Sequence, residues 1–150
     1  MAKQIDYTEV FNNVLKQKVY QLTAREQLIE EVEGHLTELE GILNSAISAE
    51  RFKHTSVEYR ASEKLLCMEC HSECMEIKFD AEQMLIDIVD KVVSFKDDEA
   101  VVEYKNEADV FINRDAEGNI MFDLGADNRS VSEFYTYVVE RAAGLVSKSK

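Results

Sequence analysis

The sequence from residue 28 to residue 47 reads LIEEVEGHLTELEGILNSAI and predicts a long amphipathic helix. Its apolar side chains recur at alternating intervals of three and four residues, which places them on one helix face. Further apolar residues widen this stripe beyond the narrow seam of a coiled coil, so we expect it to pack against other helices. Because the stripe is long for a chain of 150 residues, it also predicts self-association through helices. The candidate oligomer-interface residues are Ile29, Val32, Leu36, Leu39 and Leu43.

Similar patterns predict helices on both sides of this stretch. Each follows a candidate capping box, in which an Asp, Ser or Thr and a Glu or Gln three residues later satisfy free backbone amides. The boxes begin at Asp6, Thr23, Thr55, Asp80 and Ser130. The last helix before residue 97 also contains β-branched pairs that are typical of strands, and we favour helix there. The predicted helices of this region span about residues 7–22, 24–53, 56–76 and 81–96.

The hydrophobic period changes after residue 97. Three short segments rich in β-branched and aromatic residues follow, and two of them flank a glycine-containing loop, residues 114–118, that is typical of a β-hairpin. An apolar helical stripe then follows Ser130. We therefore predict a mainly helical α+β protein, with a helical region over residues 1–96. A small antiparallel β-meander and a C-terminal helix over residues 97–150 would pack with it as one domain.

The chain is strongly acidic, with a formal net charge of −13 at pH 7. The acidity is concentrated in residues 24–50 and 97–127. Such a surface repels nucleic-acid phosphates and anionic lipids and attracts basic partners. The alternative is that these charges only keep the protein soluble, which is the commoner role of a charged face. The candidate partner-binding acids are Asp97, Asp98, Glu99, Glu103, Glu107 and Asp109.

All three cysteines fall within eight residues, in the segment Cys67-Met-Glu-Cys70-His71-Ser-Glu-Cys74. This clustering favours a reducing compartment over a disulfide framework. Cys67, Cys70, His71 and Cys74 are the candidate metal ligands. On one straight helix they would spread over roughly 10 Å, which is too far for tetrahedral zinc. The sequence therefore favours buried cysteines that act as small apolar residues, with no metal or other cofactor.

No nucleophile elbow, phosphate-binding glycine loop or dinucleotide fingerprint occurs in the chain. We therefore expect a non-enzymatic acidic binding protein without catalytic residues. It would self-associate through its helices and regulate or inhibit a macromolecular partner with a basic surface. One route would be to present to that partner an acidic surface that resembles nucleic acid, for which residues 97–127 are the best candidate. The alternatives are a small-molecule-binding or ligand-sequestering oligomer and a structural assembly component. No apolar run approaches the ~20 residues of a membrane span, and no secretory leader is evident. The expected location is the cytoplasm, with no membrane and no direct nucleic-acid binding.

Overall fold

The computed structural model describes residues 6–50, 54–125 and 127–148. The chain divides into two compact units, Met1–His35 and Leu36–Lys150. Helix α1 spans Tyr7–Glu50 without interruption. It begins as predicted at Asp6, whose Oδ1 accepts hydrogen bonds from the backbone amides of Thr8 at 3.1 Å and Glu9 at 3.3 Å. The predicted boundary at Thr23 is wrong, because the helix continues through it.

A seven-stranded antiparallel sheet follows within the described residues, and each strand pairs with the next along the chain. The chain then ends in helix α2, which begins at the predicted capping box. In that box Ser130 N donates to Glu133 Oε1 at 3.3 Å, and Glu133 N donates to Ser130 Oγ at 3.4 Å. The elements are β1 (Thr55–Arg60), β2 (Leu65–Cys70), β3 (Glu73–Asp80), β4 (Leu85–Lys96), β5 (Glu99–Arg114), β6 (Ile120–Asp123), β7 (Asn128–Arg129) and α2 (Val131–Lys148).

The mainly helical fold that the sequence predicts is wrong, since residues 56–76 and 81–96 form strands β1 to β4. In β2, β3 and β4 buried side chains recur at every second position on one face, as a sheet packed on one side requires, and Cys67 and Val89 are buried on the opposite face as well. Leu66, Met68 and Cys70 of β2 face Met75, Ile77 and Phe79 of β3 in this way. Short apolar runs fit either period when no turn residue limits them, and this ambiguity produced the error.

The turns between these strands contain no glycine or proline, so the sequence carries no strong turn signal there. Left-handed backbone conformations nevertheless occur there, with φ of 51° at Lys64, 56° at His71 and 52° at Met84. Non-glycine residues rarely adopt these angles, which is why the turns were not predicted. After residue 97 the prediction of strands is more accurate, but the separate three-segment meander is wrong, because its first two segments form the single strand β5, which pairs with β4. The hairpin formed by β5 and β6 and the C-terminal helix are confirmed.

The core of the unit Leu36–Lys150 lies between one face of the sheet, α2 and the part of α1 that belongs to this unit. Phe122 of β6 stacks on Phe134 of α2, with ring centroids 4.1 Å apart and planes within 6° of parallel. The segment of α1 after Leu36 also contacts β1, because Asn44 Nδ2 donates to the carbonyl of Val57 at 3.5 Å. We call the side of the sheet that contacts α2 its inner face and the opposite side its outer face.

Candidate functional site

Strands β4 and β5 extend beyond the strands that flank them. On one side β3 pairs with β4 only as far as Val92, and on the other side β6 pairs with β5 only from Phe111 onward. The two strands continue together from Val92 to a two-residue turn at Asp97 and Asp98. We call residues 93–107 the arm. Every side chain from residue 94 to residue 107 is exposed, which makes the arm the most accessible part of the sheet.

One face of the arm is apolar. The register pairs Val93 with Val102 and Phe95 with Ala100, and it places Tyr104 on the same side. These five residues form what we call the apolar arm face, which belongs to the outer face of the sheet. Phe95 is 77% exposed, Tyr104 63% and Val102 44%. Large apolar side chains are seldom left this open in a contiguous group unless something binds them.

The tip of the arm carries two adjacent carboxylates. Asp97 and Asp98 both have positive φ, 53° and 63°. This geometry is typical of the type I′ turn, whose twist matches that of the two strands, and aspartate tolerates it better than most residues. The turn therefore places two negative charges at the end of the apolar arm face.

The base of the arm carries a second group of carboxylates. Asp87, Glu107 and Asp109 each bring an oxygen within 4.8 Å of the others. Oδ1 of Asp87 is buried without a hydrogen-bond partner. Burial raises the pKa of Asp87, and repulsion by Glu107 and Asp109 raises it further. The apolar arm face therefore has negative charge at both of its ends.

A bulge and an arginine fix the base of the arm to α2. The register between β4 and β5 shifts between Ile88 and Asp90, and Asn106 opposite the shift has a φ of 56°. Arg141 of α2 donates to Asp90 Oδ1 at 3.3 Å and to the carbonyl oxygen of Asn106. Asn106 Nδ2 also donates to Asp90 Oδ2 at 3.0 Å. These bonds hold the arm in a defined direction relative to α2.

The six predicted acidic residues do not share one surface. Asp97 and Asp98 lie at the tip, and Glu107 and Asp109 join Asp87 at the base. Glu99 and Glu103 lie on the other side of the arm, where Glu103 is 3.5 Å from Lys105 Nζ. The apolar arm face was not predicted from the sequence. The sequence signal for this face is the recurrence of apolar or aromatic residues at every second position, at 93 and 95 and again at 100, 102 and 104.

The predicted oligomer-interface residues lie elsewhere. Val32, Leu36, Leu39 and Leu43 are between 0 and 4% exposed in the single chain, and Ile29 is half-buried. In this structure they are therefore core residues. Among the described side chains of α1, Ile42 is 37% exposed, and the other large exposed apolar side chains belong to the first turns of the helix. They are Tyr7, Val10, Phe11, Val14 and Leu15.

The four candidate metal ligands do not converge as one set, because they lie on two strands and the turn between them. Cys67 of β2 and Cys74 of β3 meet on the outer face, with their sulfurs 2.7 Å apart. Cys70 lies on the inner face, where it accepts a hydrogen bond from Thr55 Oγ1 at 3.4 Å. His71 occupies the turn between β2 and β3, and its ring centroid lies 5.4 Å from that of His54. The sequence-based prediction of no metal assumed that these four residues lie on one straight helix. That assumption is wrong, because they lie on β2, on β3 and in the turn between these strands.

A cleft of about 530 Å³ lies between the arm base and α2. Its polar lining includes Asp90, Asn106 and Arg141, which are already hydrogen-bonded to one another. Tyr137 also lines it and accepts a hydrogen bond from Arg141 Nη1 at 3.3 Å. A small-ligand site needs polar groups that converge on the ligand, and these groups converge on each other instead. The geometry therefore favours the arm over the cleft as the functional site.

Comparison of this chain with protein-family models, with curated proteins and with solved structures finds no significant match. None of the helices in the described residues is long and apolar enough to cross a membrane. Function is therefore inferred from the geometry of the arm and of the cysteine pair.

Proposed function

We propose that this protein is a non-enzymatic binding protein that regulates a macromolecular partner by holding a basic, amphipathic segment of it on the arm. The observation that carries the proposal is the apolar arm face, with Phe95 and Tyr104 more than half exposed between two groups of carboxylates. Phe and Tyr are enriched at protein interfaces, and Tyr is among the residues most often found as energetic hot spots. Carboxylates around them orient a basic partner and speed its association.

The spacing of the arm defines the expected partner segment. The tip carboxylates and the base carboxylates are separated by about nine strand residues, or roughly 30 Å at 3.3 Å per residue. A matching segment has apolar or aromatic residues at its centre and Lys or Arg near both ends. The separation of the predicted acids onto two sides of the arm favours this mixed apolar and ionic recognition over a mimic of a nucleic-acid backbone, which would need charges on one surface.

Selection of random displayed peptides on the full-length protein tests the proposal. We expect the enriched peptides to combine aromatic or aliphatic residues with flanking Lys or Arg, and to bind more weakly at high salt. Their affinity should fall at least tenfold in the double variant Phe95→Ser, Tyr104→Ser. The matched control is Val101→Ser, which removes an exposed apolar side chain from the other side of the same arm. Failure to enrich basic sequences, or equal binding by the double variant, would reject the proposal.

We further propose that two copies of the chain associate through the exposed apolar side chains at the start of α1. Tyr7 is 75% exposed and Phe11 65%, and Val10, Val14 and Leu15 lie on neighbouring turns. Residues 7–22 carry one glutamate and two lysines, so this segment is nearly neutral in a chain of net charge −13. A second copy can therefore approach here with less repulsion than along the acidic residues 24–50.

Light scattering coupled to size-exclusion chromatography measures this association directly. We expect a dimer or larger assembly for the full chain and a monomer for the double variant Phe11→Ser, Val14→Ser. Asn13→Ser is the control, because it changes a polar residue of the same helical turn. A monomeric wild-type protein at all accessible concentrations would contradict the association and leave the arm proposal intact.

A further inference from the structure

Two cysteines and two glutamates form a two-by-two set on the outer face of β2 and β3. The register places Cys67 opposite Glu76 and Glu69 opposite Cys74. Residues two apart on a strand share a face, and directly opposed residues share it as well, so all four side chains emerge together. Cys70 is excluded from this set, because a residue three positions from Cys67 faces the other way.

The potential ligand atoms of this set converge. Cys67 Sγ, Cys74 Sγ and a carboxylate oxygen of Glu69 all lie within 4.8 Å of one another. Burial varies across the group, since Cys67 is buried, Cys74 half-buried and Glu69 exposed. One side of the group is therefore packed in the sheet while the other is open to solvent. Glu76 is held nearby by Lys91, whose Nζ is 3.8 Å from its Oε1.

The geometry points to a metal site for a thiophilic divalent cation of the zinc class, bound by Cys67, Cys74 and Glu69. Two thiolates and a carboxylate are ligands that Zn²⁺ accepts in tetrahedral sites, and water or Glu76 completes the fourth position. Thiolate ligands select such ions over Mg²⁺ and Ca²⁺. On binding, both thiols release their protons to solvent. The sulfurs then move from 2.7 Å to roughly 3.8 Å apart, the separation that two 2.3 Å bonds impose in a tetrahedron.

The carboxylates distinguish this assignment from two simpler ones. Cys70 fits the simpler role of a buried cysteine, because it lies on the inner face beside Thr55 and joins no group of convergent ligand atoms among the described residues. A disulfide between Cys67 and Cys74 needs no third group, whereas Glu69 brings a carboxylate oxygen within 4.8 Å of both sulfurs. A dication uses all three groups, since it neutralises the charges of two thiolates and of Glu69 together.

Cobalt titration of the full-length protein, reduced and freed of metal by a chelator, tests the site. We expect one Co²⁺ per chain, with the sulfur-to-cobalt charge-transfer absorption of a thiolate complex, and its displacement by Zn²⁺. Cys67→Ser and Cys74→Ser should abolish this absorption, and Glu69→Gln should weaken binding at least tenfold. The matched controls, Cys70→Ser and Glu82→Gln, should bind as the wild type does.

A second measurement keeps the result independent of folding defects in the variants. In the wild-type protein, Zn²⁺ should protect Cys67 and Cys74 from alkylation while leaving the labelling of Cys70 unchanged. Absence of thiolate absorption in the reduced wild type would overturn the proposal, as would equal loss in Cys70→Ser. A spontaneous Cys67–Cys74 disulfide whose reduced form binds no metal would overturn it too.

Discussion

Arg141 of α2 and Asp90 of β4 form an ion pair at 3.3 Å across 51 positions of the sequence. Their side chains are only 13% and 16% exposed. Arg141 also donates to the carbonyl oxygen of Asn106, at the bulge where the arm begins. The guanidinium thus joins α2 to both strands of the arm at its base. This pair therefore connects the stability of the core to the direction of the proposed binding surface.

Replacing Arg141 by Gln should destabilise the fold and loosen the arm. The change leaves Asp90 nearly buried without its cation, which costs about 3–5 kcal/mol in comparable buried pairs. Urea denaturation would measure the loss, and hydrogen exchange of the arm amides would show whether it is local. Asp90→Asn combined with Arg141→Gln should cost less than the two single losses added together. Strict additivity would mean that the pair does not couple the two elements.

Truncation of a buried phenylalanine should destabilise the fold far more than truncation of an exposed one. Phe134→Ala empties a fully buried position stacked against Phe122, so we expect a loss of about 3–5 kcal/mol in the free energy of unfolding. Phe95→Ala removes a side chain that is 77% exposed, so its effect should stay within about 0.5 kcal/mol. Chemical denaturation of both variants checks this. A large cost for Phe95→Ala would show that the arm is part of the core.

Capping patterns illustrate what the sequence can and cannot predict here. The pair Ser130 and Glu133 begins a helix as predicted. Asp80 and Gln83 have the same spacing, and Gln83 N donates to Asp80 Oδ1 at 3.2 Å, but this bond closes a β-turn between β3 and β4. An aspartate oxygen satisfies a free amide equally well in either setting. A capping pattern therefore indicates either a helix start or a β-turn, and the pattern alone does not distinguish the two.

The candidate sites were accessible to sequence reasoning only in part. The tip acids Asp97 and Asp98 were identified because charge is visible in composition. The apolar arm face was not, because Phe95 and Tyr104 belong together only through the β4–β5 register. The same is true of Glu69, which joins Cys67 and Cys74 only when two strands pair. Residues brought together by pairing leave no spacing signal once the strands themselves are misassigned as helices.

Removing the oxygen of the Ser130 cap should weaken α2 specifically. Ser130→Ala leaves the amide of Glu133 without its side-chain acceptor, and losses of this kind cost about 1 kcal/mol. Glu140→Ala is a suitable control, because it truncates an exposed side chain of α2 away from the cap, whereas the Ser132 hydroxyl is itself 3.3 Å from Ser130 Oγ. Thermal unfolding of both variants measures the difference. Equal melting temperatures would show that the box contributes nothing to the stability of the fold.

Asp87 should make the protein less stable as the pH rises. Because its pKa is raised in the folded state, the folded protein holds this proton more tightly than the unfolded chain does. The stabilising contribution is therefore complete below the ordinary pKa of aspartate and is lost as the pH rises through the raised folded value. Asp87→Asn removes the ionisation while keeping the size of the side chain. We thus expect the variant to melt at a higher temperature than wild type at neutral pH.

The difference between the Asp87→Asn variant and wild type should shrink as the solution is acidified, since both then carry a neutral side chain at this position. Melting temperatures measured from acidic to neutral pH would show this convergence. A constant difference across the range would mean that size or hydrogen bonding, not charge, sets the effect. A variant less stable than wild type at neutral pH would mean that ionised Asp87 is favourably paired in the folded protein. The carboxylate group at the base of the arm would then not be the repulsive cluster that attracts a basic partner.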